Sequence, residues 1–317
     1  MSSPAARPVG ADRPVFAIAM MLAAVGLWAL HDALAKNLAE TYGVAQIMVL
    51  RSIVAVVLVA GVLIATSGTA QLRTGRLGLN ILRGVLGCVA IGLFTAALPR
   101  QPLVSTFAII AAGPLFITVL SIPLLREPVG LRRWLATLAG FAAVLFMLQP
   151  GSDVDPTAGA MLIVSNFFFA LTMIMSRIVG RTDSAGTMTL YTLLTFIVVN
   201  GAIAPFDWTV PGDGEWWIFL AIGVIAAAAL YAMTTAFTVG APSLVAPFEY
   251  TGIAWAGLFG WLFWGEVPSG IVTVGASALV LCGLYLLHRE RIANRRTRPV
   301  AADVFSHEGP SDGRGRE

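Results

Sequence analysis

The sequence predicts an all-α integral membrane protein of ten transmembrane helices, arranged as two inverted repeats of five. Three observations carry this. Hydrophobic residues make up 57% of the 317 positions and charged residues only 12%, more apolar surface than a water-soluble core can use. Apolar stretches of about 20 residues recur along the chain, each long enough at 1.5 Å per residue to cross about 30 Å of hydrocarbon. The third is that both halves close alike. A long apolar run ends at a glutamate with a proline close behind, Glu127 with Pro128 and Glu266 with Pro268, and another apolar run follows. Five is odd, so the second copy enters the membrane from the opposite side, the build of many secondary transporters.

In order, the expected spans are 14–36, 43–66, 78–98, 102–125 and 131–149, then 157–177, 184–205, 215–238, 242–265 and 268–288. Residues 1–13 form a cytoplasmic N-terminal tail, 14–149 the first repeat, 157–288 the second, and 289–317 a basic, then disordered, cytoplasmic tail. The first span is too long for a cleaved signal peptide, and His31 and Asp32 interrupt it where a small-residue cleavage site would fall. Pro114 after Gly113 marks a kink or hinge in span four. Small residues four apart, Ala136 with Gly140 and Ala256 with Gly260, suit close helix packing in lipid. Trp216, Trp217, Trp261 and Trp264, near span ends, suit an interfacial belt.

Charge orients the bundle. With a cytoplasmic N-terminus, sixteen of the twenty Lys and Arg residues fall in inside segments, only Lys36 and Arg100 fall outside, and Arg51 and Arg83 lie within spans. This bias supports ten spans with both termini inside a cell (inner) membrane. The basic stretch RERIANRRTRP directly follows a span and lacks interleaved aromatics. It reads as an anchor on anionic lipid, not as a nucleic-acid site.

Adding 141 to a first-half position lands on its counterpart: Lys36 on Arg177, Val104 on Val245. The offset drifts to 140 at Arg51, opposite Tyr191, and to 139 at Glu127, opposite Glu266, as small insertions and deletions between two old copies would produce. The five-span unit, VLRS at 49–52, LRG at 82–84, REP at 126–128 and GEVP at 265–268 resemble the EamA-type members of the drug/metabolite transporter superfamily. The resemblance covers about residues 14–288. HDALAK, LRGVLG and APFEYTGIAWAGLFGWLFWGEVP are most similar to the branch of riboflavin importers and S-adenosylmethionine carriers. That resemblance implies a carrier working by alternating access, with riboflavin uptake as the first substrate expectation and export or exchange of amino acids or other metabolites as the second.

Ionisable groups inside hydrocarbon cost about 3 kcal/mol or more, so those present face a partner or a wet cavity. Asp32 and Arg51 lie at similar depths below the outer ends of spans one and two and are expected to pair. Arg83 and Glu249, each about six residues from the inner end of its span, form a second expected pair. Glu249 directly follows Phe248, with Pro247 loosening the backbone before it. Asp32, Glu249 and His31 are the groups at depth able to carry a coupling proton, His31 with the least perturbation; uniport and exchange stay open. Trp28, Phe107, Tyr191, Tyr231, Phe248 and Tyr250, with Asn166 as a polar group in span six, complete the expected pathway. A planar heterocycle could stack on such rings.

Cys88 and Cys282 both lie within spans, which disfavours a disulfide framework or metal cluster, and neither a metal nor a cofactor is expected. There is no Walker loop and no HExxH motif. An intramembrane enzyme is the other class weighed: GASA at 275–278 offers a serine, but its small neighbours suit helix packing and no convincing intramembrane histidine base accompanies it. The expected partners are a small-molecule substrate and the bilayer, with the protein a monomer or homodimer.

Overall fold

The computed structural model describes residues 14–125, 131–149, 152–239 and 246–296, and every regular element among them is helical. The first half holds α1 (Pro14–Ala39), α2 (Val44–Ser67), α3 (Leu77–Ala97), α4 (Leu103–Ile110), α5 (Gly113–Leu125) and α6 (Leu131–Met147). The second holds α7 (Pro156–Val179), α8 (Ala185–Ile203), α9 (Trp216–Val239), α10 (Thr251–Trp264) and α11 (Gly270–Arg296). Among the described residues six helices are long and apolar enough to cross a membrane, and they are the first three of each half, α1–α3 and α7–α9. The fourth and fifth places of both halves hold the others: α4, α5, α6 and α10 are shorter, and α11 is long but its apolar part is confined to Gly270–Cys282. Large apolar side chains such as Val57, Leu138, Val198 and Leu281 point outward, which suits a lipid solvent and not water.

The packing has the symmetry of the repeat. α1 lies against α9, and α7, its counterpart, lies against α3. α2 with α9 matches α8 with α3, and α1 with α10 matches α7 with α4 and α5. The pairs α2–α8, α4–α10 and α6–α11 each map onto themselves. Single residues repeat the relation. A Cβ on Gly84 would stand 2.6 Å from Thr195, and one on Gly223 would stand 2.5 Å from Val54. Thr195 is 141 positions after Val54, and Gly223 is 139 after Gly84. Asn166 against Gly113 and Val25 against Gly252 stand in the same relation. Glycine lets these backbones approach closely, because lipid gives no hydrophobic drive between helices.

Span four breaks at Ala111–Ala112, not at Pro114, where the sequence suggested a kink; Pro114 falls in the first turn of α5. The displacement has a simple cause: a proline has no N–H to offer the carbonyl four residues earlier, so the ladder opens upstream of it. Asn166 Nδ2 from α7 donates to the Ile109 carbonyl at 3.0 Å, beside the Ala112 N–H that the same carbonyl accepts at 3.1 Å, and so ties α7 to the break. In the second half a 3₁₀ turn, Ala246–Tyr250, precedes α10 at the corresponding place. Both halves therefore abandon α-helical geometry at matching depth, the usual construction of a transporter's midplane.

α11 continues to Arg296, eight residues beyond the end expected for span ten. The Glu127–Pro128 turn, residues 1–13 and residues 297–317 lie outside the described residues.

Candidate functional site

α1 carries His31 about eight residues, or about 12 Å, from its end, and α2 carries Arg51 seven residues, or about 10 Å, from its start. They meet at equal depth. Asp32 and Arg51 do not bond directly, contrary to the expected pair; His31 stands between them. Arg51 Nη1 lies 3.0 Å from His31 Nε2, and His31 Nδ1 lies 2.8 Å from Asp32 Oδ1. A guanidinium only donates, so Nε2 accepts; Nδ1 then carries the proton and donates to the carboxylate. The histidine is thus a neutral bridge between a cation and an anion. It is 2% exposed, whereas the Asp32 side chain is 14% exposed. Trp28, one turn earlier, sets its ring edge-on to the imidazole at 5.4 Å between centroids.

One turn towards the nearer end of α1, Lys36 is buried and ties four elements together. Its Nζ donates to the Gln101 carbonyl at 2.9 Å and to Glu266 Oε1. Glu266 Oε2 accepts the Leu103 N–H at 2.8 Å, at the start of α4. The Trp264 ring lies under the ammonium, 4.7 Å away, a cation–π contact. Gln101 Nε2 donates to Thr106 Oγ1 at 3.1 Å. The face that carries the 98–102 and 265–269 connections is thereby latched. Nearby on this face, Tyr42 donates to Glu215, and Gln46 and Thr209 exchange two hydrogen bonds of 2.6 and 3.0 Å. The tyrosine's hydrogen bond is the main cause holding the Glu215 carboxyl below the usual carboxylate range.

The sequence did not mark this latch. Lys36 was counted for topology and Glu266 as a repeat marker, although a lysine closing an apolar helix and a glutamate in an apolar turn are each a request for a partner.

The opposite face is tied by different chemistry. Contrary to the expected pair, Arg83 does not bond Glu249; it donates to Ser176 Oγ at 3.2 Å, Thr192 Oγ1 at 2.5 Å and the Met188 carbonyl. The reason is packing: α3 lies against α7 and α8, which supply those three acceptors. Nearer the surface, Asp183 accepts from Thr74 and, at 2.7 Å, from Asn80 Nδ2. These bonds, Thr74's first, hold its carboxyl below the usual range. Tyr191 donates to the Leu72 carbonyl at 3.2 Å, which makes it a tie between halves away from His31.

The remaining expected residues separate. A 3₁₀ turn spaces side chains 120° apart; Phe248 enters the apolar cluster of Met21, Val25 and Ala236, while Glu249 is exposed. The turn that holds Glu249 and Tyr250 packs on α1, α10 and α11. Phe107 lies against Gly252, Asn166 caps the helix break, and Tyr231 is 68% exposed on α9. Among the described residues no group of acids, histidines and cysteines could hold a metal ion.

Two inverted five-helix units, broken helices at matching depth, a polar chain held within the membrane-spanning part of the first unit and faces latched between the units define a multi-pass membrane transporter. The comparisons agree. The model of the EamA-like transporter family matches residues 15–149 and again 157–289, and the chain belongs to that family. A riboflavin transporter of Vibrio cholerae serotype O1 is 34% identical over 233 residues, 73% of this chain and 78% of that protein. An S-adenosylmethionine uptake transporter of Rickettsia prowazekii is 24% identical over 225 residues, 71% and 76%. A crystal structure of a protein 17% identical superposes with a TM-score of 0.62 over 89% of this chain and 99% of that one, a likeness of fold. The protein moves a small metabolite across a membrane.

Proposed function

We propose that the protein is a secondary carrier that takes up riboflavin, or a closely similar flavin, across the cell inner membrane, with both termini cytoplasmic. The observation that carries this reading is the Asp32–His31–Arg51 chain beside Trp28. A flavin ring edge presents an imide N–H between two carbonyls. Asp32 offers an acceptor and Arg51 offers donors on adjacent helices, and an indole lies within one turn of them. The 34% identical relative named for riboflavin supports the same assignment. The repeats at 14–149 and 157–288 act as the two rocking units, and the Lys36–Glu266 latch is the gate on the outer face, in a monomer or homodimer.

The alternative is a cationic metabolite such as S-adenosylmethionine. It is favoured by the Rickettsia relative and by the Asp32 carboxylate, 14% exposed and set within the bundle. A thermal-shift series on purified protein separates the two. A ligand at 100 times its Kd stabilises the native state by about 2.7 kcal/mol, and riboflavin is expected to raise Tm, with the rise lost in Asp32→Asn. A shift with S-adenosylmethionine and none with riboflavin transfers the assignment to the second substrate.

A further inference from the structure

We propose that the carrier moves a proton together with its substrate and that His31 is the residue that binds it. This deepens the carrier reading and is independent of the flavin.

In the present arrangement Nδ1 already carries a hydrogen, committed to Asp32, so the only lone pair on the ring is at Nε2. That lone pair accepts Arg51 Nη1 at 3.0 Å. A proton can enter the ring only at Nε2, and once it does, two N–H groups face each other between two cations. The proton and the Arg51 link therefore exclude one another. Hydronium supplies the proton: one of its O–H bonds breaks, one N–H bond forms at Nε2, water leaves, and the tie between α1 and α2 dissolves. Asp32 keeps its hydrogen bond and supplies the countercharge to the imidazolium. Arg51 is released on α2, which packs against α8 and α9 of the other repeat. Its guanidinium is then free for a substrate carbonyl or for a new partner across the repeat boundary. The proton displaces from His31 the donor that the substrate then takes, so binding of one favours binding of the other, which is what movement of the two together requires.

Other groups near α1 leave this exchange to the three residues. Lys36 on α1 itself is engaged by Glu266. α2 brings Arg51. On α3, Arg83 is bonded away to α7 and α8, and Cys88 is buried near Arg51. α10 contains no titratable residue, and Tyr231 of α9 is largely exposed. The 98–100 turn brings Arg100, which is exposed, and the 246–250 turn brings Glu249 and Tyr250. Among the described residues only Asp32 and Arg51 hydrogen-bond the imidazole.

Trp28 provides a reporter that needs no substrate, because an imidazolium in edge contact quenches indole emission. Full-length protein in lipid nanodiscs is titrated between about pH 8 and pH 5, and the Trp28→Phe signal is subtracted. A reversible quench is expected, absent in His31→Gln. Its midpoint should fall by about one pH unit or more in Asp32→Asn and rise in Arg51→Gln. Gating is read in parallel from a thiol at Ser105, a fully buried side chain of α4, in a background lacking Cys88 and Cys282. The labelling rate is divided by that of the His31→Gln counterpart at each pH, which removes the thiol's own titration. That ratio should change several-fold across the quench midpoint. If both signals follow His31 while riboflavin is not transported, only the flavin assignment fails. If no His31-dependent quench occurs, or the labelling ratio stays flat while the quench is present, His31 is not the coupling site.

Discussion

Removing the ammonium of Lys36 should be among the most damaging single changes in the protein. Lys36 is 3% exposed and its partner Glu266 has a side chain 15% exposed. Lys36→Met keeps the apolar stem and leaves a carboxylate without its cation. Breaking one member of a buried pair costs about 3–5 kcal/mol. The low end, about 3 kcal/mol, applies here, because Glu266 retains some exposure and still accepts the Leu103 N–H. Glu266→Gln placed on top of Lys36→Met removes the orphan charge but keeps an acceptor for that N–H, and should restore about 2 kcal/mol of the loss. Unfolding in mixed micelles titrated with a denaturing detergent gives the stabilities, and a double-mutant cycle gives the coupling. Transport in proteoliposomes reports separately on gating. If Lys36→Met is as stable as the wild type, or the double variant is no better than the single, charge pairing is not what latches this face.

Gly84→Ala and Gly223→Ala should each cost about 1–3 kcal/mol by overpacking, since the new methyl would meet Thr195 at 2.6 Å or Val54 at 2.5 Å. Thermal denaturation of both variants checks this, and a large loss at one site with none at the other would break the repeat equivalence of the two contacts. Asp183→Asn should flatten the acid limb of the stability curve. The native carboxyl lies below its ordinary value, so its contribution is complete above about pH 4 and is lost as pH falls through the lowered value. Melting temperatures between neutral and acidic pH, with equal slopes in variant and wild type, would show that the Thr74 and Asn80 bonds contribute nothing.

Much of the architecture was legible because it follows from period and composition. An apolar run of span length must cross lipid as a helix, and an odd number of spans per copy must invert the second, whatever the side chains do. The residue offsets carried further still: the sequence shifts of 141 and 139 reappear in space where Thr195 meets Gly84 and Val54 meets Gly223. The site was legible as a set of residues and much less so as a set of bonds. Depth alone brought Asp32 near Arg51 and Arg83 near Glu249. Depth along a helix does not specify the direction a side chain takes around it.

That direction is what the tertiary structure decided. Rotation of α1 against α2 inserted His31 between Asp32 and Arg51, packing of α3 on α7 and α8 gave Arg83 to Ser176 and Thr192, and the meeting of two distant turns gave Lys36 to Glu266. Which charges must be buried is set by the chain and its solvent, because hydrocarbon leaves an ionised group no option but a partner. Which partner each one finds depends on how helices from two halves turn and lean on one another, and that is settled only when all of them pack at once.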